Sequence, residues 1–322
     1  MKAPTLALAW LAGIATLGTP AFAQTYPSKA IRIVVPYPAG GGSDFMARTL
    51  GAQMATELGQ NILVDNKPGG NGAIAAQDVI RSGPDGYTLL NSDNGHLVFN
   101  PALYKNLTYK VGDLTPVTTV GTVPMMLITG PQSEFKDMRD FIAKAKANPG
   151  KYSVASAGLG SPHHLALEML KHQAGLFLVH IPYRGAAPSL VDVAGGQVPL
   201  AISDLAAARS FVKDGKVKVL AVASKKRLPQ MPDVPTLAEM GIPDAEAAAI
   251  VGLVAPTGTS PDVIAKLQQA AAKAFAVPAV REKFVNFGIE PGGIPTADYV
   301  ALLQSETTRW HKLIRDLKIT LD

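Results

Sequence analysis

Residues 35–48, VPYPAGGGSDFMAR, carry the groups best suited to hold an anion. Ile31, Ile33, Val34 and Val35 read as a short buried strand, because β-branched side chains suit a covered, pleated surface. Pro36 and Pro38 end it. Gly40, Gly41 and Gly42 lack Cβ and are expected to reach positive φ, turning N–H groups toward a guest at close range. Ser43 and Asp44 are expected at the helix N-cap, ahead of the helical run Phe45, Met46, Ala47, Arg48. A helix N-terminus carries about half a positive charge and unpaired N–H donors, so its natural guest is a carboxylate or a phosphate. A tight strand-to-helix turn without ligand is the competing reading. Gly41 is the position where a bulky residue is expected to obstruct the cradle.

Two nucleotide cradles are excluded by spacing. A P-loop needs Lys-Ser/Thr after its last glycine, and Gly42 is followed by Ser43-Asp44; the dinucleotide fingerprint needs a third glycine where Asp44 or Phe45 stands. The same strand–loop–helix logic recurs at residues 153–170, SVASAGLGSPHHLALEML, where Gly158 and Gly160 precede a Ser161-Pro162 helix start. Two such loops suggest two lobes, each pointing a helix N-terminus into a shared cleft. His164, Glu168 and His172 recur at i, i+4 and i+8, a spacing open to metal ligation, but ligands normally come from more than one element; a solvated helix face is the expectation, with no metal and no cofactor. Ser156 lacks the first glycine of the nucleophile elbow, so a serine hydrolase stands only as an alternative.

Strand-like and helix-like runs alternate, which predicts an α/β fold with mainly parallel sheets. Expected strands fall at 31–35, 62–64, 87–90, 117–120, 126–128, 152–155, 179–181, 200–202, 218–223 and 252–254. Expected helices fall at 44–58, 73–81, 138–147, 163–174, 186–194, 206–214, 261–276, 278–287 and 296–317. The chain of 322 residues, 47% hydrophobic, is long enough for two domains of about 150 residues. Cysteine is absent, which excludes disulfides and thiolate chemistry. Lys2, the apolar run 6–17 and Ala21-Phe22-Ala23 have the order of a secretory leader with cleavage near Ala23, so the expected destination is the periplasm. The formal net charge of +5 is spread out, its densest run being Lys225-Lys226-Arg227, and no aromatics interleave with a basic patch; no nucleic-acid partner is expected.

Residues 84–90 (PDGYTLL), 148–170, 180–200 (HIPYRGAAPSLVDVAGGQVPL), 220–241 and 252–259 (GLVAPTGT), with the first loop, resemble the Bug family of extracytoplasmic solute receptors of tripartite tricarboxylate transporters, in order along nearly the whole chain after the leader. The resemblance implies a periplasmic binding protein with two Rossmann-like lobes that close on a small carboxylate, a di- or tricarboxylate or an aromatic acid. It implies no catalysis, membrane transporter subunits as partners, and a monomer. A leader at 1–23, a first lobe from 24–125 and 233–322, and a second lobe from 126–232 follow. Carried onto this sequence, the first pincer is Tyr37, Ala39, Gly40, Gly41, Ser43 and Asp44, and the second is Ser156, Ala157, Gly158, Ser161 and His163. Ser92, Asn94 and His96, then Tyr183, Arg184 and Gly185, and Asp204 are further cleft candidates. Arg184 reads either as counter-ion to a second carboxylate or as a structural partner of an acid such as Asp204; Asp44 reads either as ligand contact or as a cap. Where the family commonly has Ser/Thr-Ser-His, this chain has Ser161-Pro162-His163-His164, which removes a hydroxyl and adds an imidazole. A ligand sensor serving a signalling partner is the alternative use of the same scaffold.

Overall fold

The computed structural model describes residues 26–321; the leader expected at 1–23 lies outside the described residues. In chain order the elements are β1 (Ile31–Val35), α1 (Gly42–Leu58), β2 (Ile62–Asn66), α2 (Ala73–Arg81), β3 (Thr88–Asp93), α3 (Asn100–Leu103), β4 (Leu114–Thr129), α4 (Met138–Ala147), β5 (Ser153–Ser156) and α5 (Pro162–Ala174). There follow β6 (Val179–Pro182), α6 (Ala186–Ala194), β7 (Leu200–Asp204), α7 (Leu205–Lys213), β8 (Lys218–Val222), β9 (Ala248–Pro256), α8 (Pro261–Ala276), α9 (Pro278–Asn286), β10 (Glu290–Pro291) and α10 (Thr296–Asp316).

The strands form one continuous curled sheet in the order β2-β1-β3-β9-β4-β7-β5-β6, with β8 and β10 also paired to β4. Between the named strands, parallel pairing is confined to β2-β1-β3 and to β7-β5-β6. The two parallel groups are joined through antiparallel β9 and β4, so the expectation of a mainly parallel sheet holds within each half and fails at the junction. The strands expected at 117–120 and 126–128 are in fact one 16-residue strand. Its first part, as far as Pro124, pairs with β9, and its last residues, from Met125, pair with β7 and β8. Pro116 and Gly121 sit at its register shifts, where proline withholds a ladder donor and glycine adds no packing; those irregularities made one strand read as two.

Helices cover both halves and bury a core in which Ile31, Ile33 and Val34 of β1, Leu50 and Met54 of α1, and Leu253 of β9 are almost fully enclosed. Capping follows local chemistry. Ser161 accepts from His164 N–H ahead of Pro162, and Ser260 accepts from Val263 N–H ahead of Pro261.

One contact carries a stability test. Tyr299 of α10 is fully buried against Gly252 of β9, where an added Cβ would run into the ring, and its hydroxyl has no hydrogen-bond partner. Gly252→Ala is expected to lower unfolding free energy by about 2–3 kcal/mol through overpacking. Tyr299→Phe, which deletes an unsatisfied polar atom, is expected to be neutral or stabilising. Urea denaturation checks both; a loss above about 1 kcal/mol in Tyr299→Phe would mean that the hydroxyl has a partner.

Candidate ligand-binding site

Four helices begin around one cavity between the halves. It is lined by Gly42 and Ser43 at the start of α1, His163 in the first turn of α5, Ala186 and Ala187 opening α6, and Asp204 preceding α7, and its empty space, open mouth included, is about 540 Å³. Two of these N-termini are capped by their own side chains: Ser161 serves α5, and Asp204 Oδ1 accepts from Ala207 N–H at 2.9 Å. The other two, α1 with Gly41 at its N-cap and α6 with Gly185, have no side-chain cap. They come from opposite halves of the sheet, and their first amide donors are the groups that an anion satisfies.

The cap of α1 corrects one expectation. Gly41, not Ser43 or Asp44, is the N-cap, and of the three glycines only Gly40 has positive φ, at 89°. Asp44 folds back instead: Oδ2 accepts from Gly40 N–H at 3.1 Å, and Oδ1 accepts from Arg48 Nε and from Asn66 Nδ2, each at 3.0 Å. Burial opposes its charge, but these donors outweigh burial and hold the carboxyl below its ordinary range.

The cavity also holds acidic groups, and Asp204 lies beside the start of α1, where a Cβ on Gly42 would stand 3.0 Å from its Oδ1. Tyr37 donates its hydroxyl to Asp93 Oδ2 at 2.7 Å, and Gly95 N–H donates to Asp93 Oδ1 at 2.8 Å. Burial, then the charges of Asp93 and Asp204, push the Tyr37 phenol well above its ordinary value, so it stays a donor. His163 Nε2 lies 3.2 Å from Asp204 Oδ2, and its Nδ1 is buried without a partner. Met46, Val123, Ala249 and Val251 supply an apolar wall.

Of the residues named from sequence, Tyr37, Gly41, Ser43, Ala157, His163, Gly185 and Asp204 line this cavity. Ala39 and Gly40 lie on the exposed outer turn. Ser92 is buried with its hydroxyl on the Asp93 carbonyl, and Asn94 bridges the β9 backbone at Ala248 and Ile250. His96 Nδ1 lies 3.1 Å from Asp93 Oδ1. Gly158 accepts from the Ser161 hydroxyl, and Gly185 N–H donates to Ala157 O, which ties α6 to the second loop. Tyr183 donates to Asp192 Oδ2. Arg184 is exposed and makes neither ion pair nor hydrogen bond among the described residues, Asp204 included. Ser156 Oγ stands 2.6 Å from His180 Nε2, but this serine is fully buried outside the cavity.

The helix face expected to be solvated is exposed at His172, partly covered at Glu168 and buried at His164. His164 is buried and stacks on His180 with ring centroids 4.3 Å apart, while Glu168 is held by Lys171 at 2.8 Å. Asp93 escaped the sequence reading because the strand was expected to end at residue 90; β3 in fact runs to Asp93, and its last residue lines the cavity. The wall from β4 and β9 carried no local signal, since those residues meet only through antiparallel pairing across the junction.

Comparison with known proteins agrees in extent and architecture. Residues 46–319 match the model of the tripartite tricarboxylate transporter family receptor. The chain is 37% identical to protein BugT of Bordetella pertussis, with 94% of each chain covered. Among solved structures, Rpa4515 of R. palustris with adipate superposes with a TM-score of 0.88 at 32% identity, covering 92% of this chain and 99% of that one. MatC of Rhodopseudomonas palustris with bound malate superposes with a TM-score of 0.84 at 31% identity, covering 90% and 100%.

Proposed function

Because the chain belongs to the tripartite tricarboxylate transporter receptor family, which includes the Bug proteins, we propose that it is a periplasmic solute receptor whose two lobes close on a small carboxylate. The observation that carries this reading is the convergence of two uncapped helix N-termini, α1 and α6, from opposite halves of the sheet on one cavity. A carboxylate placed there accepts from both halves at once only when the lobes are together, and that differential affinity drives closure. Similar proteins hold adipate and malate, which supports a carboxylate as the guest.

Tyr37, Gly41 and Ser43 belong to the first pincer in this reading, Ala157 and His163 to the second, and Gly185 and Asp204 to the cleft beside them. The first lobe comprises 24–125 and 233–322 and the second 126–232; the change of partners along β4 at Pro124 and Met125 supports a boundary there. The leader is removed near Ala23, and the closed receptor is a monomer that presents both lobes to the transporter's membrane subunits. Binding proceeds without turnover in this reading, and the side-chain contact of Ser156 with His180 lies outside the cavity.

Calorimetric titration of the chain from Gln24 onward against adipate, malate, citrate and benzoate tests this. One site per chain, filled with micromolar or tighter affinity by at least one acid that is recovered unchanged, is the expected result. Chemical conversion of a bound acid, or silence across the panel after unfolding and refolding to strip any retained ligand, would overturn it.

A further inference from the structure

A second contact crosses between the halves outside the cavity, at the end of α9. That helix stops at Asn286, and its last carbonyls need donors from beyond the helix. The other half supplies them. Arg209 of α7 donates Nε–H to Asn286 O at 3.0 Å, and Gln230, in the turn after β8, donates Nε2–H to Val285 O. A guanidinium placed at a helix C-terminus also meets the negative end of the helix dipole. Gly288, just past the helix, packs on Leu205 of α7 so closely that a Cβ there would stand 2.8 Å from its side chain.

The two sides of this contact belong to different bodies. Leu205, Ala208 and Leu228 pack in one apolar core with Leu190 and Val222, whereas Val280 and Phe284 of α9 pack in the core that holds Leu50 of α1. After α9, β10 pairs with the first part of β4 at Gly121 and Thr122, on the side of β9. The contact also reaches the first loop. The Arg209 guanidinium lies 4.8 Å from the centroid of the Phe287 ring, and Phe287 stacks on Phe45 with centroids 4.0 Å apart. Phe45 stands in the first turn of α1, two residues after Ser43, which lines the cavity. Arg209, Gln230, Phe287 and Phe45 are all outside that lining.

From this arrangement we propose that Arg209 is a positioning residue for capture: with Gln230 it clasps the end of α9 when the lobes close, and so sets how tightly any acid is held without touching it. The proposal rests on the carboxylate-receptor reading. A guest that bridges α1 and α6 brings the halves together, and a contact made in that state raises its affinity by the factor by which the contact favours closure. The factor is common to all guests, because the clasp shares no atom with them.

Calorimetric titration of adipate, malate, citrate and benzoate into wild-type chain, Arg209→Met, Phe287→Leu and the double variant tests this. Methionine keeps a straight stem and good helix propensity at position 209 while removing the charge and the donors. Each single change is expected to weaken every acid that wild-type chain binds by one common factor, about 3- to 10-fold for a cation contact at an exposed position. The loss in the double variant is expected to fall short of the product of the single losses, since both changes break one contact. Urea unfolding of ligand-free Arg209→Met is expected to keep the wild-type midpoint. Wild-type affinity in Arg209→Met, losses that differ between acids, losses that multiply in the double variant, or an affinity loss matched by an equal loss of unfolding free energy would each overturn the clasp and leave the receptor reading standing. Absence of binding by wild-type chain across the panel would overturn the receptor reading and the clasp with it.

Discussion

Gly42→Val is expected to weaken ligand binding by at least about 100-fold while leaving the unfolding transition of the free chain nearly unchanged. A Cβ on Gly42, the first residue of α1, would lie 3.0 Å from both Asp204 Oδ1 and Ala206 Cβ, across the cleft from α1. A valine adds two further methyl groups at that point, and the backbone of α7 lies behind. The obstruction exists only when the halves meet, so the variant folds as an open form and lacks the closed one, and a ligand gains little from a cleft that cannot shut. Gly41→Ala is the control. The nearest atom to a Cβ there, apart from its chain neighbours, is Pro38 O at 4.0 Å, and φ of −86° at Gly41 suits any residue, so this change is expected to leave affinity within about threefold. The expectation at Gly41 concerns a bulky residue entering the ligand's space; the packing of α1 against α7 adds Gly42 as the position where a side chain opposes closure. Calorimetry with any acid that wild-type chain binds measures both, and near-wild-type affinity in Gly42→Val would remove closure at α1 from the account.

The second large effect concerns acid. His164 and His180 stack behind the second loop, and burial, the largest cause in each, lowers both to about 4. Folded-state values below the unfolded value of about 6.5 mean that the unfolded chain binds more protons between these limits. Stability is therefore full above about pH 6.5, declines as pH falls toward 4, and levels off below that as far as these two groups are concerned. Discounted for the partial exposure of His180 and for coupling between the rings, the pair accounts for a loss on the order of 2–4 kcal/mol. His180→Gln removes one titrating ring and the charge repulsion with the other. Urea denaturation at pH 7.5 and 4.5 is expected to give a markedly smaller loss in that variant than in wild type; equal losses would show that acid lability arises elsewhere.

Much of this molecule was legible before its fold was known, and the limits of legibility have physical causes. Helices 138–147 and 261–276 were readable to the residue because a capping side chain, Asp137 or Ser260, precedes the apolar spacing, and helices 73–81 and 186–194 because each follows a glycine, Gly72 or Gly185. β1, the glycine loop and the Ser161-Pro162 start of α5 were readable for the same reason. The junction was not: β4 changes partners midway, and nothing local in Leu114–Thr129 announces that one strand serves both halves. The pincers could be named from their glycines, whereas Asp93 and the wall of β9 gained meaning only when antiparallel pairing set β3, β9 and β4 side by side. Arg184, the most obvious counter-ion in the sequence, is exposed outside the cavity, whose lining holds Asp93, Asp204 and His163 instead.

The central claim is that a carboxylate draws the two lobes together. The chain has no cysteine, so spin labels can be placed cleanly at Glu57→Cys in α1 and Lys213→Cys in α7, both exposed and one on each half. Pulsed electron paramagnetic resonance on that doubly labelled protein, with and without a saturating acid, reads the lobe separation directly. A broad distance distribution that collapses to one short, narrow population on binding is expected, with no collapse in the Gly42→Val background. Identical distributions with and without an acid that calorimetry shows to be bound would contradict the claim.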